Sequence, residues 1–141
     1  MNGNLVKNWM TPDPITINSN VTIPDAYWLM IKNKIRRLLV VDDEKLVGIV
    51  TLEDLRQKIP FTAFAMDAVR ANDILTSYPV RKVMSENPKT TSPDTLLVKA
   101  AQLMLDNNIS TLPVLEGEKL VGIITEGDIF RAFVQLVEQG E

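Results

Sequence analysis

The chain has 141 residues, a hydrophobic content of 45%, a net charge of −3 and a pI near 5.0. It contains no cysteine and no histidine, so disulfides, thiolate metal sites and the usual histidine base of an active site are excluded. We therefore expect a non-catalytic protein without a metal site, although Asp and Glu could still hold a hard cation.

Charge and hydropathy also limit the partners. An acidic chain argues against a nucleic-acid partner, because such proteins usually present a basic face to the phosphate backbone. No apolar run is long enough to cross a bilayer, and no cationic segment followed by an apolar stretch opens the chain. We therefore expect a soluble, cytoplasmic protein with no membrane partner.

An internal repeat organises the sequence. Residues 6–55 align without a gap with residues 80–129, and Gly48 falls on Gly122, an offset of 74 residues. A repeat of this size predicts two similar lobes that share one core. We divide the chain into a first repeat (1–59), a connector (60–79) and a second repeat (80–141).

Each repeat begins with a short apolar segment, a turn, a β-prone stretch (15–17 or 90–91) and an amphipathic helix. The helix carries its apolar face at Ile23, Ala26, Tyr27, Met30 and Ile31 in the first repeat and at Leu96, Leu97, Ala100, Leu103 and Met104 in the second. In the second repeat, Ser92 is predicted as the N-cap and Pro93 as the first helical residue. Asn33 closes the first helix, and Asn107 or Asn108 closes the second.

Two apolar strands and a second helix complete each repeat. The strands are predicted at 37–41 and 46–50 and at 111–115 and 120–124, and the helices begin at Thr51 and Thr125. The order β-α-β-β-α, written twice, predicts a mixed α/β (α+β) fold. The connector is predicted as a helix whose apolar face packs within the protein or forms a dimer surface; that face consists of Phe61, Phe64, Ala65, Ala68 and Val69.

The strand-to-helix junction repeats the motif Gly-x-x-Thr-x-x-Asp, carried by Thr51 and Asp54 and by Thr125 and Asp128. In one interpretation the motif is close to a capping box and only starts a helix. In the other, the helix N-terminus binds a phosphate and the Asp accepts both hydroxyls of a ribose. The preceding glycine could admit another backbone or a ligand, or mark a bulge.

Together these features resemble a pair of cystathionine-β-synthase (CBS) domains. The resemblance rests on a Val and a Met near each start, Leu-x-Val before the acidic turn and the Thr-x-x-Asp motif at the end, and it covers 6–55 and 80–129. It implies a pseudo-twofold pair of CBS repeats (a stand-alone Bateman module) with up to two adenosine-nucleotide sites in the cleft between the repeats. It also implies homodimers and a regulatory, energy-sensing role.

The resemblance implies a role for each matching residue. Asp54 and Asp128 would bind ribose, and Thr51 and Thr125 would lie on the phosphate side. The adenine would lie against Thr16, Ile17, Leu38 and Val40 in the first site and against Thr90, Thr91, Leu112, Pro113 and Val114 in the second. Leu39 stands where the second repeat has the family's usual proline, so we rank the second site first.

The sequence contains one basic cluster, which is formed by Lys32, Lys34, Arg36 and Arg37. We interpret it as a solvated helix end whose cations favour the negative C-terminal pole. The alternative is a phosphate contact from Arg36 or Arg37, and we include Arg37 among the candidate ligand residues.

The sequence favours a regulatory module that binds AMP, ADP or ATP, requires no cofactor and acts through an unidentified protein partner. A scaffold without a nucleotide and a module that binds S-adenosylmethionine are the alternatives, and a nucleic-acid-binding module is a weaker third hypothesis. The residues do not choose among the adenosine ligands, and they leave the number of occupied sites and the dimer geometry open.

Overall fold

The computed structural model describes residues 4–58 and 78–140. Within them it confirms the β-α-β-β-α order of each repeat and the mixed α/β class. In chain order, the elements are β1 (Thr11–Pro12), β2 (Thr16–Ile17), α1 (Ile23–Asn33), β3 (Arg37–Asp42), β4 (Lys45–Thr51), α2 (Leu52–Lys58), β5 (Ser85–Glu86), α3 (Leu97–Asn107), β6 (Thr111–Glu116), β7 (Lys119–Thr125) and α4 (Glu126–Gln139). Most of the predicted connector helix, including its apolar stripe, lies outside the described residues.

The chain packs as two compact units. We call Ile15–Pro88 the N-lobe and Met1–Pro14 with Lys89–Glu141 the C-lobe. The N-lobe sheet has the strand order β2-β3-β4-β5, and the C-lobe sheet has the order β1-β7-β6. In the C-lobe, a single parallel bridge between Thr91 and Val114 takes the place that β2 has beside β3 in the N-lobe.

The opening segment of each repeat pairs with the sheet of the other repeat. β1 of the first repeat lies antiparallel to β7, with Thr11 opposite Ile123. β5 of the second repeat lies antiparallel to β4, with Ser85 opposite Ile49. Each lobe is therefore completed by an edge strand that its own repeat does not supply.

The motif glycines admit these edge strands. A Cβ built on Gly122 would lie 2.7 Å from Met10 Sδ and 2.9 Å from Thr11 O, and one built on Gly48 would lie 2.6 Å from Met84 Sδ and 2.9 Å from Ser85 O. Since real Cβ atoms do not approach other heavy atoms so closely, only glycine fits. The register of each hairpin also shifts beside its glycine. Of the three roles considered for the glycine, the close approach of another backbone is confirmed, with a bulge beside it.

Each lobe has its own apolar core between its sheet and its helices, so the prediction of one shared core is wrong. The N-lobe core contains Ile17, Ile23, Ala26, Met30, Leu38, Val40, Val50, Leu52, Leu55, Val80 and Val83. The C-lobe core contains Val6, Leu97, Ala100, Met104, Leu112, Val114, Ile124 and Ala132. Of the predicted helix faces, Tyr27, Ile31 and Leu96 are exposed, so the buried stripe is narrower than the periodicity indicates.

The predicted start of the second-repeat helix is wrong. α3 begins at Leu97, and Ser92 lies in a turn in which Thr95 N–H donates to Ser92 O at 3.2 Å. Leu96 is held in an extended conformation because it forms a β-bridge with Leu5, so the helix cannot start earlier. At the C-terminal ends, Lys34 and Asn108 take the left-handed conformation.

One polar contact ties the start of the N-lobe to its sheet. Asp42 accepts hydrogen bonds from Ser19 N–H at 2.9 Å and from Ser19 Oγ at 2.5 Å. The side-chain bond, then the backbone bond, and to a smaller degree the charge of Arg81, lower the pKa of Asp42 from its ordinary value of 3.8. The last residue of β3, just before the turn to β4, is therefore a structural carboxylate.

This contact predicts a specific acid sensitivity. A lowered folded-state pKa means that Asp42 contributes stability that is fully present above pH 3.8 and is lost as the pH falls through the lowered value. We expect Ser19→Ala to flatten this acid limb of the unfolding free energy, measured by urea denaturation at a series of pH values. Ser92→Ala is the control, because that hydroxyl meets Thr95 rather than a carboxylate. An unchanged acid limb in Ser19→Ala would contradict the assignment.

Candidate functional site

Each candidate motif lies where a strand runs directly into a helix. β4 ends at Thr51 and β7 ends at Thr125, and in both cases the helix begins at the next residue. The first amide of α4, on Glu126, donates to Ser110 O at 2.9 Å. Both threonines therefore stand at a helix N-terminus, where backbone donors and the positive pole of the helix dipole are concentrated.

The Thr and Asp of each motif form a capping box. In the N-lobe, Thr51 N–H donates to Asp54 Oδ2 at 2.9 Å, and Asp54 N–H donates to Thr51 Oγ1 at 3.0 Å. In the C-lobe, Thr125 N–H donates to Asp128 Oδ2 at 2.9 Å, and the Thr125 hydroxyl lies 3.2 Å from the same oxygen. The predicted capping box is therefore confirmed in both lobes. Because these bonds use only Oδ2, they do not by themselves exclude a ligand at Oδ1.

Asp128 is the most buried charged group of the two motifs. Its residue is only 3% exposed, and its Oδ1 accepts a hydrogen bond from Nη2 of Arg131. The Arg131 side chain is 68% exposed, so the ion pair joins a solvent-exposed cation to a buried carboxylate. A carboxylate this deeply buried needs such partners, because burying an unpaired charge is costly.

Two cations lie near the N-lobe motif on its strand side. Arg36 Nη2 lies 2.9 Å from Glu53 Oε1. Arg37 stands directly opposite Thr51 in the sheet, so the side chains of Arg37 and Thr51 lie on the same face. The interpretation of the basic cluster as a helix end is wrong for these two arginines, because α1 has ended at Asn33 and β3 begins at Arg37. Arg37 therefore stays a candidate ligand residue.

The predicted adenine-side residues of the C-lobe come together around β6. Thr91 N–H donates to Pro113 O at 3.0 Å, and Leu115 N–H donates to Thr91 O at 2.8 Å. Leu112 and Val114 point into the C-lobe core, so a ligand could meet only their backbone. Pro113 alternates with them and shares the face of Thr125. Thr90 precedes Thr91 and is half-buried.

The N-lobe arrangement follows the same plan. Thr16 is the parallel partner of Leu39, and Ile17 is the parallel partner of Val40. Ile17, Leu38 and Val40 belong to the N-lobe core, so their side chains are committed to packing. Thr16 is exposed beside them. The structure thus brings the predicted residues of each site into one lobe, although several of them offer only backbone groups.

The sequence profile of the CBS domain matches residues 6–60 and 80–135. The chain belongs to the CBS domain family. A CBS domain-containing protein of Dictyostelium discoideum is 33% identical over 136 residues, which is 95% of this chain and 94% of that protein. The chain matches only 23% to 47% of the length of several other relatives, some of which are named as enzymes.

Solved CBS structures have the same fold. The structure of CBSX2 in complex with AMP superimposes with a TM-score of 0.77 at 31% identity, covering 95% of this chain and 98% of that one. The CBS domain pair of protein MJ0100, in complex with 5′-methylthioadenosine and S-adenosyl-L-methionine, has a TM-score of 0.75 at 33% identity, covering 93% and 96%. The resemblance to a CBS pair read from the motifs is confirmed.

Two residues beside the C-lobe motif of the CBS pair were not predicted as site residues from the sequence. Arg131 follows Asp128 by three positions, a spacing that allows a contact along a helix, but many exposed arginines have it. Thr111 is the register partner of Thr125, and its residue is 9% exposed. Thr111 Oγ1 has no hydrogen-bond partner among residues 4–58 and 78–140. No sequence signal distinguishes such a hydroxyl from any other threonine in a strand.

Neither a metal-binding cluster nor a membrane-spanning helix is found in the described part of the CBS pair. Its Asp and Glu residues form no group of three that could hold a metal ion. None of its helices combines the length and the apolar content that a membrane span requires. The adjacent carboxylates Glu53 and Asp54 bind different partners, Arg36 and the capping amide, so they do not form an acid–base pair.

Proposed function

We propose that the chain is a regulatory module that binds adenosine nucleotides and performs no chemistry itself. The observation that carries the proposal is the duplicated strand-to-helix junction, where each lobe holds a Thr and an Asp on the first turn of a helix. The Asp oxygens can accept the ribose hydroxyls, and the helix N-terminus with its Thr can receive the phosphate. The AMP complex of CBSX2 and the two adenosine ligands of the MJ0100 pair support this ligand class.

The chain's own residues assign the parts of each proposed site. Asp54 and Asp128 would bind the ribose, and Thr51 and Thr125 would bind the phosphate side. Arg37 would add a cation beside Thr51. The adenine would lie against the segment around Thr16 and Ile17 in the N-lobe and against that around Thr90 and Thr91 in the C-lobe, with the strands Leu38–Val40 and Leu112–Val114.

We propose that the module works in the cytoplasm as a homodimer, senses the energy state of the cell through AMP, ADP or ATP, and passes the signal to another protein. Exposed apolar side chains on α4 support a protein contact, since Phe130 and Phe133 are each 64% exposed. S-adenosylmethionine is the alternative ligand.

A scaffold without a nucleotide is the second candidate, and the capping boxes favour it. Thr125 and Asp128 already stabilise the start of α4, and a helix cap by itself explains why a Thr and an Asp stand three residues apart. Under this hypothesis neither Asp has a ligand, and the module acts only through its surface.

A thermal-shift panel separates the two candidates. AMP, ADP, ATP, adenosine, 5′-methylthioadenosine and S-adenosylmethionine would each be added to the full chain. A ligand at about 100 times its Kd stabilises the folded state by about 2.7 kcal/mol, which for a chain of this size corresponds to a rise in Tm of roughly 5–10 °C. We expect at least one adenosine nucleotide to give such a rise, with GTP as the control. No shift with any adenosine compound would favour the scaffold.

A further inference from the structure

We propose that Arg131 makes the C-lobe site selective for adenosine ligands that carry a 5′-phosphate. The inference rests on the proposed function and names the ligand class of one of its two sites. In the structure the guanidinium is bonded to Asp128. We infer that a ribose takes over Asp128 and that the guanidinium then turns to the phosphate of the same ligand.

Asp128 already accepts hydrogen bonds at both of its carboxylate oxygens. Oδ2 lies within hydrogen-bonding distance of both Thr125 N–H and the Thr125 hydroxyl, so both of its lone-pair directions are in use. The two hydroxyls of a ribose therefore depend on Oδ1, which is bonded to Arg131. Oδ1 also has two lone-pair directions, so the two ribose hydroxyls and Arg131 are three donors for two positions, and a ribose that binds through both hydroxyls displaces the guanidinium. A ligand that offers nothing to the displaced guanidinium binds at the expense of a charge-assisted bond.

The guanidinium of Arg131 lies close to the N-terminus of α4, where a phosphate could be bound. A Cβ built on Gly127 would lie 3.7 Å from Arg131 Nη1 and 3.6 Å from Thr125 Oγ1, so the guanidinium already lies over the first turn of α4. Within the described residues, the first amide of this turn bonds to Ser110 O, and the Asp128 amide belongs to the capping box. Within the same described residues the Gly127 amide makes no such bond, so we infer that it is available to a phosphate.

A guanidinium binds a carboxylate or a phosphate through the same planar set of donors. Moving from Asp128 to a phosphate on the same turn replaces one charge-assisted contact with another, so a nucleotide does not lose the ion pair without compensation. A nucleoside or a 5′-thioether does, because its 5′ end carries no anion.

An unsatisfied hydroxyl independently points to a ligand beside this turn. Thr111 Oγ1 is buried and has no partner among the described residues, and Thr111 stands directly opposite Thr125 on the same face of the sheet. Buried polar groups are nearly always paired in folded proteins. A ligand at the start of α4 would be well placed to supply the missing partner.

The N-lobe provides a comparison within the chain. Its residue equivalent to Arg131 is the neutral Gln57, and its residue equivalent to Gly127 is Glu53, which is paired with Arg36. The N-lobe helix carries Arg56 instead, two residues after Asp54, so an arginine three residues after the motif Asp is found only in the C-lobe repeat. Substituting Arg131 with Gln gives the C-lobe the residue that the other repeat already has.

Calorimetric titration of the full chain with AMP and with adenosine tests the proposal. Asp54→Ala serves as the parent so that the C-lobe site is measured. We expect Arg131→Gln to weaken AMP binding by about tenfold or more, the loss of one charge-assisted contact, and to tighten adenosine binding by several-fold. Arg131→Lys keeps the charge without the planar fork, so its ratio of AMP to adenosine affinity should lie between those of Arg and Gln.

The controls separate the possible failures. In an Asp128→Ala parent, where only the N-lobe site remains, Arg131→Gln should change neither affinity. If the Asp54→Ala parent binds both probes and Arg131→Gln leaves their ratio unchanged, the role of Arg131 is wrong and the proposed function stands. If neither the wild type nor the parent binds either probe, both fail together.

Discussion

Replacing Asp128 with Asn is expected to weaken AMP binding to the C-lobe by about tenfold or more while costing the unliganded protein about 1 kcal/mol or less. An Asn side-chain oxygen can still accept from Thr125 N–H, so most of the cap survives. It has no negative charge, so its bonds to ribose hydroxyls fall from the charge-assisted to the neutral class. The two roles of Asp128 are thereby separated in one variant.

Asp128→Ala is the contrasting variant. It removes the cap, leaves Thr125 N–H without its side-chain acceptor and ends the contact with Arg131, so we expect a loss of about 1–2 kcal/mol of stability in addition to the loss of binding. Titration calorimetry in the Asp54→Ala parent gives the affinity, and urea denaturation without ligand gives the stability. If Asp128→Asn bound AMP as tightly as its parent, Asp128 would be only a helix cap.

Gly122→Ala is expected to lower the stability of the protein by about 1–3 kcal/mol, or roughly 3–10 °C in Tm. The added methyl group would lie 2.7 Å from Met10 Sδ and 2.9 Å from Thr11 O. The methionine side chain can turn aside, but the carbonyl belongs to β1, so the edge strand itself must move. Thermal unfolding followed by circular dichroism measures the effect.

Gly127→Ala is the matched control, because it is the same chemical change five residues later in the same lobe. The nearest atoms to its Cβ lie at 3.6 and 3.7 Å, which is ordinary contact. Alanine is the better helix former, so we expect a gain of up to about 1 kcal/mol. A loss of stability in Gly122→Ala together with a gain in Gly127→Ala would show that the edge strand β1 requires glycine at position 122. A loss of similar size in both would show only that the lobe tolerates no added volume.

The sequence predicted the secondary structure where the pattern was long and local. Each of the strands β3, β4, β6 and β7 was placed within one residue at either end, because each is an apolar run bounded by turn residues. The start of α3 was missed because Ser92 and Pro93 are good start signals in isolation. The bridge between Leu5 and Leu96 overrides them, and such a contact between distant residues leaves no local pattern.

Some residues of the candidate site could likewise be recognised from the sequence, and others could be found only in the structure. Thr51, Asp54, Thr125 and Asp128 were recognisable because they recur at the same spacing in both repeats. Arg131 was not, since its repeat partner is Gln57 and nothing in the sequence shows that its guanidinium folds back on Asp128. Thr111 could be singled out only from the structure, in which its hydroxyl is buried and has no hydrogen-bond partner within residues 4–58 and 78–140.

By itself, the amino-acid order determined that this protein is a duplicated β-α-β-β-α unit with a capped helix at each Thr-x-x-Asp motif, because periodicity and capping act over a few residues. Tertiary structure alone decided that β1 and β5 cross to the sheet of the other repeat and that Gly48 and Gly122 make room for them. Two-residue strands have no periodicity to read. Their pairing is set by main-chain hydrogen bonds between segments far apart in the chain, which no local pattern encodes.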